Sequence, residues 1–246
     1  MGKTTKSYFK IKVRYICCFT IWLTLFTFYT MRSNISIAML AMTKQTTDTN
    51  STSYSSCIIK KNTGEEIENH IYEFIWTQAE QGYILSSFFI GYFSTHLLGS
   101  FLSLVIGPRK VMIICLLGST IFTFGMVFLP YFGIWYFVMG RIMIGVFSGP
   151  LYPIVHELIA NYAPLEERTI LTVLTHTGNL IGLSFNFGVG GYIVDNVDQG
   201  WKYLFIMNGI LGVLAFLLWV GFVYSSPSEN PLMSNKEKIH ILESLG

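Results

Sequence analysis

The 246-residue chain is 52% hydrophobic, 16% aromatic and only 12% charged, against roughly 25% charged in an ordinary soluble domain. That composition excludes a water-solvated globule and a disordered chain alike, and makes a membrane protein the default. A net charge of +2 gives no global basic field for nucleic acid, and the four cysteines make no disulfide framework.

Residues 1–14 form a basic tail carrying Lys3, Lys6, Lys10, Lys12 and Arg14 and no acid. An apolar run starts at Tyr15 and continues past Arg32 to Met42 without a small-residue cleavage site, so it reads as an uncleaved first helix rather than a secretory signal. Residues 43–79 are polar and form the one long loop, in which Asn50-Ser51-Thr52 is a glycosylation acceptor. Apolar stretches follow at about 80–105, 110–130, 133–160, 169–194 and 202–224. Each is close to the roughly 20 residues that a hydrocarbon core about 30 Å thick requires. The fold expected is an all-α membrane protein with a six-span bundle over 15–224. Cys17, Cys18 and Cys115 lie in or beside these runs and read as buried thiols.

Lysine and arginine set the orientation. With the tail inside, its five cations are joined by Arg109, Lys110, Arg168, Lys236 and Lys238, ten in all, against Lys44, Lys60, Lys61 and Lys202 on the other side. Both termini are therefore expected in the cytoplasm, with the long loop lumenal or extracellular. Short connections between spans two and three and between four and five make those consecutive helices antiparallel neighbours. The spacings Gly145-x-x-x-Gly149 and Gly178-x-x-x-Gly182 read as close helix packing.

Two arginines sit inside apolar spans, Arg32 in the first and Arg141 in the fourth. A guanidinium near the bilayer centre costs about 2.5–3.5 kcal/mol on the insertion scale, so such a residue faces a bundle interior or a watery cavity and is a functional candidate by default. At about 100° per residue, Ser148 returns to within about 20° of Arg141 and His156 lies about 60° away, a polar stripe on one helix face. On that stripe His156 is a ligand or proton-relay candidate; alone it would read as a hydrogen-bonded structural histidine. Pro150 and Pro153 leave carbonyls free that neighbours or a cavity must satisfy. Arginine's planar fork recognises paired carboxylate or phosphate oxygens, so the two arginines point to an anionic substrate.

Ser148 beside Gly149 also invites an intramembrane serine protease. That chemistry needs a base in hydrogen-bond reach; residues 202–224 hold no histidine, and His156 is about 12 Å along the same helix. An enzyme is therefore not expected. His70, His96, His156, His176 and His240 are scattered, so no metal site is expected, and no phosphate-cradling glycine loop supports direct ATP use.

The fourth and fifth spans resemble a known family. Arg141-Ile142-Met143-Ile144-Gly145, then Gly149, Tyr152-Pro153, His156 and Tyr162-Ala163-Pro164-Leu165-Glu166-Glu167-Arg168, are similar to the anion-cation symporter family of the major facilitator superfamily, the group of sialin, vesicular glutamate transporters and type I sodium-phosphate cotransporters. The segments Met31 to Ala38, Gln81 to Tyr92, Gly200-Trp201, Tyr224-Ser225-Ser226-Pro227 and Asn230-Pro231 agree. The resemblance implies the six-helix amino-terminal half of a twelve-helix transporter, with 225–246 as the start of its central cytoplasmic loop. It implies substrate-binding roles for Arg32, Arg141 and His156, with Asn34, Ser148 and Tyr152 lining the cavity. The sequence departs from the family where Ser148 replaces a carboxylate of many relatives and Leu85 replaces a histidine of the vesicular glutamate transporters.

The function expected is secondary active symport of an organic anion or inorganic phosphate, by alternating access, in a plasma membrane or a lysosomal or vesicular membrane. No cofactor is expected beyond a coupling ion, sodium or proton, and the partners are a small anion, the lipid bilayer and a second transporter half, with no nucleic acid. The alternative is a truncated half that does not transport by itself and pairs with, or interferes with, a complete transporter.

Overall fold

The computed structural model describes residues 12–43, 74–235, 237–239 and 241. Most of the basic tail and of the long loop, including Asn50, lie outside the described residues. Within them the chain forms α1 (Val13–Met42), α2 (Gln78–Ile106), α3 (Pro108–Gly125), the short α4 (Leu129–Phe132), α5 (Ile134–Ser148), α6 (Leu151–Tyr162), α7 (Arg168–Asn196) and α8 (Gly200–Phe222). α5 and α6 form one bent span, Ile134–Tyr162, so the bundle has six spans. A lipid-exposed backbone must satisfy its own polar groups, and helices do so within each segment.

Five of the spans are long and apolar enough to cross a bilayer. α7 matches them in length, 29 residues or about 43 Å at the helical rise, but it carries Thr172, Thr175, His176, Thr177, Asn179 and Asn186. Its polar groups belong to the bundle. The expected third span of 110–130 is shorter than its apolar run: α3 stops at Gly125, and α4 begins afresh at Leu129 with Pro130 in its first turn, where the missing N–H is harmless. α2 starts on a capping box, with the Thr77 hydroxyl accepting from Glu80 N at 3.3 Å and Thr77 N donating to Glu80 Oε2 at 2.8 Å.

Chain neighbours are not the main packing partners. α1 lies along α7 and α8, α2 lies along α5, and α3 packs on α5 and α8. Taken as two sets of three spans, the first helix of each set therefore packs on the second and third of the other, the pairing of two inverted three-helix repeats. Two seams hold it together. A Cβ on Gly145 would run into the backbone oxygen of Phe88, and one on Gly178 would lie 2.5 Å from that of Trp22. Only glycine lets α5 meet α2, and α7 meet α1, at backbone distance.

The basal end of the bundle, where α1 begins and α8 ends, packs Cys17, Ile21 and Leu25 against Cys115, Leu158 and Trp219. Arg14 is buried there and pairs with Glu167 at 3.0 Å. The segment after α8 folds back onto this end, burying Met233, while Glu237 accepts from the backbone N–H groups of Val13 and Arg14, both at 3.1 Å. Those are orphan donors at the start of α1, and a carboxylate satisfies them and complements the helix dipole. The opposite, apical end is aromatic: Phe74, Trp76, Tyr131, Phe137, Trp201 and Phe205 form a chain of ring contacts.

Candidate functional site

The bent fourth span organises the site. Pro150 and Pro153 lack the N–H groups that would bond to the carbonyls of Val146 and Gly149. α2 supplies substitutes: Thr95 Oγ1 donates to Val146 O at 2.8 Å, and His96 Nδ1 meets Gly149 O at 3.0 Å. A carbonyl only accepts, so His96 carries its proton on Nδ1 in this contact. The carbonyls that the two prolines free are thus satisfied by consecutive residues of one neighbouring helix, and the bend is fixed rather than loose.

The bend also separates the polar stripe. Arg141 and Ser148, on α5, are both buried. Arg141 is 1% exposed and donates to the backbone carbonyls of Met31 at 3.5 Å and Arg32 at 3.2 Å. Ser148 Oγ donates to Ile144 O at 2.7 Å, within its own helix. Asn34 is fully buried, and its side-chain amide has no hydrogen-bond partner among the described residues. Beyond the bend, His156 on α6 is exposed.

Arg32 stands elsewhere. It is half-buried, and its guanidinium lies over the rings of Tyr29 at 5.6 Å, Phe88 at 5.5 Å and Phe89 at 5.1 Å. Arg141 faces the same Phe88 ring at 5.4 Å. Among the described residues neither arginine meets a carboxylate; the ion pair Arg14–Glu167 lies at the basal end. The quadrupoles of the rings partly offset the charge of Arg32, yet among the described residues they leave its N–H donors free for an incoming acceptor.

A hydrogen-bonded and stacked chain runs from this arginine across three helices. The Tyr29 and Tyr152 hydroxyls are 2.6 Å apart, and Asn179 Nδ2 donates to Tyr152 Oη at 3.1 Å. The Tyr152 ring stacks on His156 at 6.5 Å and on His176 at 6.0 Å, and the two imidazoles stack on each other at 5.1 Å. His176 Nδ1 is 2.8 Å from Thr172 O. On α2, Tyr92 and His96 add two further rings 5.3 Å apart, and Tyr92 lies within electrostatic range of Tyr29 and Arg32. Thus α1, α2, α6 and α7 together present one polar, aromatic face.

Of the residues singled out in the sequence, the structure brings Arg32, Tyr152 and His156 to this face and places Arg141, Ser148 and Asn34 in the seams behind it. Tyr29, His176 and Asn179 are the members that sequence reading missed. A second buried polar chain was also unforeseen: Asn208 donates to Asn186 Oδ1 at 3.2 Å and Asn186 to Ser33 Oγ at 2.9 Å, which ties α8, α7 and α1 together. Among the described residues no three histidine, cysteine, aspartate or glutamate side chains come together as a metal-ligating group.

Comparison with known proteins agrees with this architecture. A family model, the Major Facilitator Superfamily, matches residues 21–243. The chain is 28% identical over 241 residues to sialin of Ovis aries, covering 94% of this chain and 47% of that protein. It is 29% identical over 227 residues to sodium-dependent phosphate transport protein 3 of Homo sapiens, covering 89% and 51%. The xylose transporter XylE from E. coli, in a partially occluded inward-open conformation, shares the fold with a TM-score of 0.68 at 19% identity, over 94% of this chain and 53% of that one. The chain therefore spans about half the length of the relatives it matches.

Proposed function

The chain belongs to the major facilitator superfamily, and from that membership we propose that it supplies the amino-terminal six-span half of a secondary active transporter for a small anion, organic or inorganic phosphate. The observation that carries this reading is Arg32, a guanidinium within a membrane span, held by aromatic rings and free of any carboxylate among the described residues. An intramembrane cation without a counter-ion is expensive, and a substrate anion supplies the missing partner through charge-assisted, paired hydrogen bonds. The names of the relatives, a sialin and a phosphate transport protein, support an anion.

Tyr152 and His156 share the face with Arg32 and serve as polar contacts for the substrate. Arg141 acts differently. Its bonds to the carbonyls of Met31 and Arg32 fix the turn of α1 that carries Arg32, so it is a positioning residue. The transporter works by alternating access, with a second six-span half closing over the polar face and sodium or protons coupled to the anion. The basal end is cytoplasmic, in keeping with the Lys and Arg bias; the membrane is the plasma membrane or a lysosomal or vesicular one.

Uptake of labelled phosphate, glutamate and sialic acid into proteoliposomes, by the protein as its own gene encodes it, tests this reading. Saturable uptake of at least one anion that Arg32→Ala abolishes is the result expected. Uptake unchanged by Arg32→Ala overturns the role of Arg32.

A further inference from the structure

The spanning helices are almost empty of acids. Glu80 lies in the first turn of α2 and Asp195 in the last turn of α7, and Glu157 on α6 takes the hydroxyl hydrogen bond of Ser103. Inside the bundle, at the position of the polar face, the groups able to take up a proton near neutral pH are imidazoles. His96 is committed to the Gly149 carbonyl. His176 likewise keeps Nδ1 on the Thr172 carbonyl at 2.8 Å, leaving Nε2 for a proton, and His156 makes no hydrogen bond among the described residues. What sets His156 and His176 apart from His96 is that their two imidazoles stack on each other. They come from different helices, their rings are 5.1 Å apart and 26° from parallel, and His156 is exposed on the open face.

We propose that the stacked pair His156–His176 is the protonation site of the transporter, so that the coupling ion is a proton held by imidazole. The inference rests on the transport reading above and assigns its coupling ion. Two imidazolium ions at this separation repel each other, so the pair holds one proton at a time. Tyr152 stacks on both rings, its hydroxyl meets that of Tyr29, and the Tyr29 ring lies beneath the Arg32 guanidinium. Three contacts therefore separate the proton from the anion site.

The charges facing the pair fix the sign of the coupling. α1 presents Tyr29 and Arg32, α2 presents Tyr92 and His96, and α6 presents Tyr152, with Glu157 engaged by Ser103. α3 places Cys115 in the core behind α6, and α8 holds Lys202 and Tyr203 only in its first turn at the apical end. A proton on the pair adds a cation to the face that carries Arg32, with the Arg168 guanidinium engaged by the Ala160 carbonyl one turn along α6, and this draws the anion. By linkage the bound anion holds the proton more tightly by the same factor.

The test is the affinity of the protein, as its own gene encodes it and reconstituted in nanodiscs, for glutamate or sialate between pH 5 and 8. Neither probe changes charge appreciably in that range. Co-binding of one proton predicts a Kd that rises about tenfold per pH unit above the titration of the pair, and a flat profile in His176→Gln. His176→Tyr keeps a ring in the stack without an imidazole, and it replaces the glutamine variant if that one fails to fold. A wild-type Kd that varies less than twofold across the range, or the wild-type slope persisting in either variant, overturns the proton site while the anion site stands. Absence of binding of glutamate, sialate and phosphate alike at every pH overturns both.

Discussion

Arg32 and Arg141 flank a single ring, Phe88, at 5.5 and 5.4 Å, yet one belongs to the open face and the other to a sealed seam. Arg141 is 1% exposed and has backbone carbonyls as acceptors; Arg32 has aromatic faces and no acceptor within the described residues. An arginine inside a membrane span is thus not of one kind. Where the protein supplies oxygen atoms, the charge clamps two helices. Where it supplies only rings, the oxygens must come from a ligand.

The largest expected difference between the two lies in transport. Removing Arg32 deletes a pair of charge-assisted hydrogen bonds, about 3 kcal/mol together, so Arg32→Ala lowers anion uptake about 100-fold, and Arg32→Lys, which lacks the planar fork, restores less than a tenth of it. Thermal unfolding in nanodiscs is expected to be unchanged for both variants. Arg141→Ala has the converse effect. It empties the buried volume from which α5 reaches the α1 carbonyls of Met31 and Arg32 and lowers stability by about 2–4 kcal/mol, seen as a lower unfolding temperature, with anion affinity reduced less than in Arg32→Ala.

Glycines sharpen the same contrast between seam and open surface. Gly145→Ala drives a Cβ into the Phe88 carbonyl, whereas Gly188 has nothing among the described residues within 4 Å of its Cβ position. The first substitution is expected to destabilise by about 1–3 kcal/mol through overpacking, and Gly188→Ala to leave the unfolding temperature unchanged. The smallest loss of stability expected is that of Thr95→Val, which strands the Val146 carbonyl freed by Pro150. It costs about 1 kcal/mol, again read from thermal unfolding.

Much of the bundle was legible in the sequence because a bilayer leaves a chain few options. The stretches 80–105, 169–194 and 202–224 correspond to Gln78–Ile106, Arg168–Asn196 and Gly200–Phe222, since length and apolarity alone mark a span. The packing of Gly145 and Gly178 was legible for a similar reason: small residues four apart have one common use. What misled was the helical wheel on the fourth span. A fixed 100° per residue placed Arg141, Ser148 and His156 on one face, but the bend at Gly149–Pro150 gives His156 a different neighbour, α7. His176 and Tyr29 were not legible because they join the site through contacts between helices distant in sequence. No periodicity within one helix reports those. The break after Gly125 was hidden by an apolar run that continues straight through it.

The claim that one arginine is a ligand and the other a clamp has a direct chemical test. Phenylglyoxal reacts with accessible guanidinium groups, and peptide mass spectrometry counts the modification at each residue. In the folded protein Arg32 is expected to be modified, to be protected by saturating anion, and to react much faster than Arg141, which stays unlabelled until unfolding. Labelling of Arg141 as fast as Arg32, or labelling of Arg32 that saturating anion does not slow, would contradict the account.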